Sequence, residues 1–206
     1  MKLFMKRSRV YPALGVVLLL SGCSEQPAAT TKKEAKAAVE PVTGQTALFR
    51  MYQVARSWAP DAEIVSMKSI HLTDVPVMRG SAGAWDALFL SPGKSAQRSY
   101  TYSVEESEGN LHEGVFPGAE ETASAPSKAF VIGSVKVDSD AAYKSAAAHA
   151  AEYNKKNPTQ TISFELSRQE ISQNPVWRVI WGESAGTSDE SVLVDAATGD
   201  YLKTLH

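Results

Sequence analysis

The sequence predicts an α+β fold made of two similar αβββ repeats, each a helix packed on an antiparallel sheet. Two segments carry apolar residues at helical spacing, and each is followed by segments in which apolar and polar residues alternate as in half-buried strands. Three landmarks recur in the same order in both halves: a proline after the helix, a tryptophan in a strand and a glycine turn. The members of each pair are 98, 92 and 90 residues apart, respectively, and they are Pro60 and Pro158, Trp85 and Trp177, and Gly109 and Gly199. The alternative is two unrelated α+β halves that share a common order of elements.

The chain begins with a segment typical of a secretion signal. Four lysines and arginines and no acidic residue lie among the first nine positions, and an apolar run follows over residues 10–20. A membrane-spanning helix needs about 20 apolar residues, so this run is too short to be a stable anchor. A basic start, a short apolar run and small residues in this order predict a signal peptide that is removed and takes no part in the fold.

The end of this segment, Leu20-Ser21-Gly22-Cys23, resembles the lipobox of bacterial lipoproteins and contains the one cysteine of the sequence. The resemblance implies a lipoprotein signal peptide over residues 1–22, cleavage between Gly22 and Cys23, and a diacylglyceryl group on the sulfur of Cys23. A further acyl chain such as palmitate on its nitrogen would complete a stable anchor, which takes two or more chains. Ser24, where an inner-membrane signal would show aspartate, implies the outer membrane facing the periplasm. The alternative is an ordinary secretory signal with a chance cysteine.

Residues 23–44 are predicted to form the lipidated cysteine and a flexible tether. Prolines, threonines, alanines and a cluster of charged residues dominate this stretch. Apart from Val39 and Val42, it has no large apolar side chain to bury. Such a composition cannot bury enough apolar surface to fold alone. As a flexible coil, the tether would span roughly 25 Å and hold the folded part away from the bilayer. The alternative is a short helix over residues 31–39.

Charge and cysteine content exclude several classes of protein. The chain has 21 basic and 23 acidic residues, and loss of residues 1–22 removes four basic residues and no acidic one, which leaves a formal charge of −6. The mature chain therefore lacks the basic surface expected of a nucleic-acid-binding protein. Because acylation would use the single thiol, neither a disulfide nor a redox-active cysteine is expected.

Each half of the remaining chain begins with a predicted helix, over residues 45–58 in the first half and 140–153 in the second. Apolar residues recur there at intervals of three and four, which places them in one stripe along each helix. The stripes contain Leu48, Met51, Tyr52 and Ala55 in the first helix and Tyr143, Ala146, Ala147, Ala150 and Tyr153 in the second. Asp138, Ser139 and Asp140 are candidates to cap the second helix. Both helices run into a proline, which disfavours helix in the residue before it.

Alternation predicts the strands that follow each helix. In the clearest of them, Ile162, Phe164 and Leu166 lie on one face and polar residues on the other. The two tryptophan strands turn Asp86 and Arg178 away from their aromatic face. The predicted strands and final short segments are residues 64–72, 85–89, 100–105 and 111–115 in the first half and 161–168, 177–181, 190–195 and 201–205 in the second.

Residues 116–128 are predicted to be a loop between the halves, since they contain Pro-Gly and Ala-Pro pairs and adjacent acidic residues. Residues 129–137 are then predicted to be an apolar strand without a counterpart in the first half. We therefore expect a first repeat and connector over residues 45–128 and a second repeat over residues 129–206. Whether the repeats form one sheet or two is left open by the sequence.

The second half resembles a PepSY-type module. The resemblance is carried by the tryptophan strand, 177–181, and by the turn Val194-Asp195-Ala196-Ala197-Thr198-Gly199, which matches a V-D-x-x-T-G pattern. It covers residues 139–205 and is weaker over 45–115, where Glu106-Ser107-Glu108-Gly109 replaces the turn. PepSY-like domains occur in peptidase propeptides and in envelope proteins, so the resemblance implies a binding module more than an enzyme.

Motifs of catalysis and metal binding are absent from the sequence. It contains no Gly-x-Ser-x-Gly elbow and no glycine-rich phosphate loop. Its histidines, which show no metal-ligand spacing, are His71, His112, His149 and His206. Asp195 and Asp200 at one turn are typical of a solvated hairpin rather than a calcium site. We therefore expect a protein without enzymatic activity, cofactor or metal, and the alternative is a hydrolase whose site is assembled from distant residues.

The candidate partner-binding residues are Tyr100, Tyr102, Glu105 and Glu106. Tyrosine is favoured at protein contacts, an acidic cluster attracts basic partners, and exposed strand edges accept extended peptides. The competing interpretation places the tyrosines in the core and the acidic residues in a solvated hairpin. We expect a membrane-anchored, non-catalytic module that binds or assembles with an envelope protein or peptide. The alternative is an inhibitor or folding helper of an envelope peptidase.

Overall fold

An eight-stranded antiparallel sheet with helices on one face organises the part of the chain that the structure describes. The structure is a computed structural model, and it describes residues 39–76, 78–109, 111–124 and 128–206. It confirms the predicted α+β class with antiparallel strands. The predicted signal peptide, the acylation of Cys23 and most of the tether lie outside the described residues.

The chain contributes one main helix and four sheet strands to each half, so the αβββ prediction was one strand short. The first half contains β1 (Val42–Thr43), α1 (Gly44–Trp58), β2 (Glu63–Ile70), β3 (Ser81–Ala82), β4 (Ala84–Ser91), β5 (Ala96–Ser103) and β6 (Gly114–Thr122). The second contains α2 (Ser139–His149), α3 (Ala151–Lys156), β7 (Ile162–Arg168), β8 (Pro175–Trp181), β9 (Glu190–Asp195) and β10 (Tyr201–Leu205). The fourth strands, β6 and β10, pair along their length with β5 and β9 and so extend the sheet at both edges.

The two halves share one continuous sheet, which answers the question that the sequence leaves open. The strand order is β10-β9-β8-β7-β2-β4-β5-β6, and β1 and β3 form a separate two-stranded ribbon. The halves meet where β2 pairs with β7, with Met67 opposite Leu166. We call this central β2–β7 pairing the seam. Since each half presents its first sheet strand to the other, the order of strands reads outward identically from the seam.

The segment between the halves differs from its prediction. Part of the predicted loop is the edge strand β6, because Pro117 is tolerated where one side of the strand makes no ladder. The predicted strand over 129–137 is reduced to one bridge, in which the backbones of Phe130 and Ile64 exchange two hydrogen bonds of 2.8 Å, and a 3-10 turn follows at Ile132–Ser134. Phe130 and Val135 are buried against the core, so their apolar pattern reflects anchoring and not a ladder.

The helices agree with their predicted positions except at one break. The predicted helix over 140–153 is interrupted at Ala150, whose φ of −112° and ψ of 24° leave helical geometry before α3 begins. The break redirects the chain so that Asn154 accepts a hydrogen bond from the indole N–H of Trp181. The helical stripe of α2, including Ala146, is buried against the sheet as expected.

In each half, one tryptophan joins the main helix to the sheet beneath it. The indole N–H of Trp85 donates to the carbonyl of Val42 at 3.1 Å, and that of Trp177 donates to the carbonyl of Val137 at 2.8 Å. Each carbonyl lies one residue before the N-cap of the helix in the same half. Both rings are fully buried and meet edge to face at 6.4 Å. A Cβ atom on Gly44 would lie 2.6 Å from Trp177, so this close approach requires glycine.

Candidate functional site

The face of the sheet opposite the helices carries the polar residues of the central strands. On β4, Trp85 and Phe89 are buried in the core beneath the helices. Because successive residues of a strand point to opposite faces, Asp86 and Leu88 lie on the helix-free face. Both are only partly buried. This face is therefore the one on which side chains of the central strands can meet a ligand.

At the seam, two pairs of polar residues lie opposite each other on the helix-free face. Met67 and Leu166 point into the core, so their sequence neighbours point away from it. The register pairs Ser66 with Ser167 and Lys68 with Glu165. The second pair continues sideways, with Asp86 opposite Lys68 and Arg178 opposite Glu165. Four adjacent strands thus carry a row of alternating charges, which we call the charge row: Asp86, Lys68, Glu165 and Arg178.

A groove of about 350 Å³ runs across the seam beside this row. We call it the seam groove, and it is lined by Ser66, Met67, Lys68, Asp86, Leu88, Ser99, Glu165, Leu166 and Ser167. Neighbouring strands are about 4.8 Å apart, so the groove crosses four strands within roughly 15 Å. Serine hydroxyls donate and accept hydrogen bonds, and the charge row offers both signs. The groove can therefore bind polar groups of either charge.

The contacts within the charge row are unequal. Lys68 and Asp86 form a loose ion pair of 3.7 Å between Nζ and Oδ2, whereas Glu165 and Arg178 form none. The Nε of Arg178 instead donates to the Oγ of Ser191 at 3.0 Å, on the side away from Glu165. Within the described residues, no hydrogen bond or ion pair engages the carboxylate of Glu165 or the terminal nitrogens of Arg178. Two neighbouring opposite charges are thus held apart and remain available.

Asp86 is the member of the charge row whose protonation equilibrium is displaced. Burial raises the pKa of its carboxyl above the ordinary value, and this effect outweighs the opposing attraction of the Lys68 ammonium. Its side chain is 29% exposed and that of Lys68 is 62% exposed. The carboxyl of Asp86 is therefore the partly dehydrated member of the pair, and a bound group would interact with it more strongly than with a charge in bulk water.

The tyrosines proposed as partner-binding residues lie in the core beneath α1 and not on an open groove. Tyr100 is 1% exposed and Tyr102 is 5% exposed. The hydroxyl of Tyr102 accepts a hydrogen bond of 2.9 Å from Arg50, whereas that of Tyr100 is buried with no hydrogen-bond partner among the described residues. Their alternate positions on β5 follow the face of Trp85 and Phe89, and that face is the one covered by helices.

The acidic candidates lie apart from the tyrosines, in the connection between β5 and β6. Glu105 is 9% exposed, and its backbone carbonyl and N–H both contact the hydroxyl of Ser103. Glu106 is exposed, accepts from His112 at 3.0 Å and also accepts from the backbone N–H of Glu113. The structure therefore does not bring the four candidate residues together into one surface.

Asp195 organises the turn that carries the PepSY-like pattern. Its carboxylate accepts from the backbone N–H groups of Ala197 and Thr198 and from the side chains of Ser172 and Asn174, at 2.8 to 3.2 Å. Burial favours the neutral acid, yet these hydrogen bonds together outweigh it and hold the pKa of Asp195 below its ordinary value. Its oxygens are occupied by donors of this chain, so its position indicates a structural role in the turn.

The histidines are distributed over separate places in the fold. His112 contacts Glu106, His206 contacts Glu190 at 2.7 Å, and His149 stacks on Tyr201 with ring centroids 3.8 Å apart. No group of three or more histidine, cysteine, aspartate or glutamate side chains in the described ranges is arranged to hold a metal ion. The histidines thus offer no site that competes with the seam groove.

The two edges of the sheet are poorly suited to the addition of another strand. The edge strand β6 contains Pro117, and its pairing with β5 shifts register between Arg98 and Tyr100. The other edge strand, β10, is short and carries the exposed Lys203. Its pairing with β9 shifts register between Tyr201 and Lys203. Proline, lysine and register shifts are the usual protection of sheet edges against pairing. The seam groove is therefore the better candidate site.

Sequence reasoning missed the seam groove because its members come from four strands that are distant in the chain. Alternation alone places Asp86, Glu165 and Arg178 on the face away from the aromatic residues. Nothing in the alternation indicates that β2 would pair with β7 and bring Lys68 opposite Glu165. The detectable signal was a charged residue at the corresponding outward position of each tryptophan strand.

Comparison with models of known families, with curated proteins and with solved structures finds no match to this chain. In the described part of the chain, no helix is both long enough and apolar enough to cross a membrane.

Proposed function

We propose that this protein is a lipid-anchored envelope protein that binds a peptide or protein segment at the seam groove without catalysing a reaction. The lipobox-like sequence supports the anchor at Cys23 and a position at the outer membrane facing the periplasm. The observation that carries the binding role is the seam groove itself, together with the carboxylate of Glu165 in its wall and the terminal nitrogens of the neighbouring Arg178, which have no partner in the described structure.

The arrangement of the two halves supports a duplicated PepSY-like unit as the scaffold of this site. Each half contributes one main helix and four sheet strands in the same order, and Trp85 and Trp177 each donate to the carbonyl one residue before the N-cap of the helix in their own half. In such a duplication, the seam is the new surface created by joining two units. A groove at this junction would belong to the pair and to neither unit alone, which suits a binding function acquired with the duplication.

The size and chemistry of the seam groove support a peptide ligand. Its volume of about 350 Å³ lies at the lower end of the range of ligand sites, which is about 300 to 1,000 Å³. A peptide carries amide donors and acceptors that match the hydroxyls of Ser66 and Ser167, which lie opposite each other at the seam. The alternating charges of the row favour ligands that carry both signs over ligands of one sign.

Site-specific photo-crosslinking in intact cells tests this role. A photoreactive benzoylphenylalanine replaces Lys68 at the groove or, as the control, Gln53 on the exposed surface of α1. We expect a discrete adduct at position 68, absent at position 53, that disappears when Ser66→Phe fills the groove. Equal adducts at both positions, or none at position 68 in a folded protein, would contradict the proposal.

The anchor has its own test. Cells grown with labelled palmitate should incorporate the label into the wild-type chain and not into Cys23→Ser. The variant should also leave the membrane fraction, because a single residue carries every acyl chain of the proposed anchor. Membrane retention and label in Cys23→Ser would show that the cysteine is a chance residue.

A further inference from the structure

We propose that the charge row at the seam groove recognises a short zwitterionic peptide, with the terminal ammonium on Glu165 in the groove wall and the terminal carboxylate on Arg178, which lies opposite Glu165 on the next strand. This inference rests on the proposed binding function and names the class of ligand. Its starting point is the pair of opposite charges on adjacent strands β7 and β8 that do not contact each other.

The guanidinium of Arg178 is positioned by a buried group. Its Nε donates to the hydroxyl of Ser191, which is 2% exposed and lies opposite Ile180 on β9. This hydrogen bond holds the side chain toward β9 and leaves its two terminal nitrogens without an acceptor among the residues that the structure describes. A guanidinium offers paired donors whose spacing matches a carboxylate, so these free nitrogens favour a carboxylate ligand.

Glu165 supplies the complementary half. It lies in the wall of the groove, is partly buried and has no hydrogen-bond or ion-pair partner among the described residues. A partly dehydrated carboxylate is stabilised by a cationic donor, and an ammonium group provides three donors. The nearest cation across the seam, Lys68, is paired with Asp86 on the opposite side.

The hydroxyl of Ser167 favours a short peptide over a single amino acid. Neighbouring strands bring opposite residues within about 5 Å at Cβ, close enough for their side chains to pair. Here the Nε of Arg178 instead bonds to Ser191 on the far side, and no ion pair joins Glu165 and Arg178 in the described structure. A dipeptide or tripeptide can meet both charges and also carries amides, which can bond with Ser167 in the groove wall two residues from Glu165.

Titration of the purified full chain in detergent with small probes tests the assignment by NMR, read at the side-chain Nε–H of Arg178 and at the backbone N–H groups of Leu166 and Ser167, which are present in every variant. The probes are diglycine, glycine, N-acetyldiglycine, which lacks the ammonium, and diglycinamide, which lacks the carboxylate. We expect diglycine to bind in the millimolar range and each of the other probes to bind at least about tenfold more weakly. Stronger binding of glycine would assign the site to free amino acids and overturn the peptide assignment.

Matched variants separate the two charges. Glu165→Gln should weaken the binding of diglycine about tenfold and leave that of N-acetyldiglycine unchanged. Arg178→Gln should likewise weaken the binding of diglycine about tenfold and leave that of diglycinamide unchanged. Glu152→Gln, on the exposed surface of α3, is the control that should change nothing. Equal binding of diglycine to all variants, or to none including the wild type, would overturn the proposal. Crosslinking at position 68 that persists in that case would retain the groove as a binding site for a different ligand.

Discussion

Asp138 accepts a hydrogen bond of 2.8 Å from the backbone N–H of Gln45, although the two residues are 93 positions apart. The same Oδ1 atom accepts from the backbone N–H of Ser139 at the start of α2. One carboxylate therefore satisfies donors at the first turn of both main helices. The contact links the two halves above the sheet, as the seam links them within it.

Replacement of Asp138 should therefore cost more than the loss of one cap. We expect Asp138→Ala to lower the free energy of unfolding by about 2 to 3 kcal/mol, because a single cap contributes about 1 kcal/mol and here two helix ends are left unpaired. Denaturant unfolding followed by circular dichroism measures this change. Asp140→Ala, which removes an acidic residue of the same helix turn and its ion pair with Lys144 but no cap, is the control and should cost under about 1 kcal/mol. Similar losses in the two variants would argue against a shared cap.

The buried tyrosines of β5 should respond oppositely to removal of their hydroxyls. Tyr100→Phe should leave stability unchanged or raise it slightly, because the buried hydroxyl has no hydrogen-bond partner in the described part of the chain. Tyr102→Phe should lower the free energy of unfolding by about 1 kcal/mol, because it removes the hydrogen bond from Arg50. Thermal and denaturant unfolding of both variants measure the difference. A clear loss in Tyr100→Phe would reveal a partner for that hydroxyl.

Truncation of Tyr102 distinguishes a position in the core from the exposed, partner-binding position that the sequence suggested. A residue on an open groove would lose little stability on truncation, whereas the structure buries this ring at 5% exposure. We expect Tyr102→Ala to lower the free energy of unfolding by about 3 to 5 kcal/mol, as for other buried aromatic residues. A decrease in the free energy of unfolding of less than about 1 kcal/mol would indicate that the side chain is exposed, as the partner-binding interpretation requires.

Asp195 should make stability depend on pH in the acid range. Its hydrogen bonds hold the pKa of the folded state below the ordinary value, so the unfolded chain takes up a proton first as the pH falls. Its stabilising contribution is complete above about pH 4 and is lost as the pH falls through the folded-state value. Wild type should therefore lose stability more steeply below pH 4 than Asp195→Asn, measured by denaturant unfolding at each pH. Asp200→Asn, at an exposed position in the same turn, should follow the wild type.

The pKa of Asp86 is displaced upward, in the direction opposite to that of Asp195. Burial raises the pKa of its carboxyl, and Lys68 lowers it in part. Removal of the lysine charge in Lys68→Met should therefore raise the pKa of Asp86 further, as followed by carboxyl-carbon NMR during an acid titration. In the wild type, a raised pKa means that stability is favoured at low pH and falls as the pH rises through the folded-state value. An unchanged titration of Asp86 in Lys68→Met would show that the two charges are not coupled.

Local patterns predicted most of the secondary structure because they report on neighbours in the chain. The helical stripe of α1 and the alternation of β7 identify both elements and their buried faces. The same reasoning failed at 129–137, where apolar residues anchor an irregular segment, and at 116–122, where Pro117 indicated a loop but sits on a sheet edge. Periodicity shows which side of an element is buried and does not show which element covers it.

The sequence by itself determined the α+β class, the buried faces of the main elements and the expectation of a lipid anchor at Cys23. The tertiary structure alone decided that β2 pairs with β7 and that Tyr100 and Tyr102 lie beneath α1. That pairing aligns Lys68 with Glu165 and assembles the charge row from four distant strands. Strand pairing depends on backbone hydrogen bonds and core contacts between residues that are distant in the sequence. The seam groove therefore exists only in the folded chain.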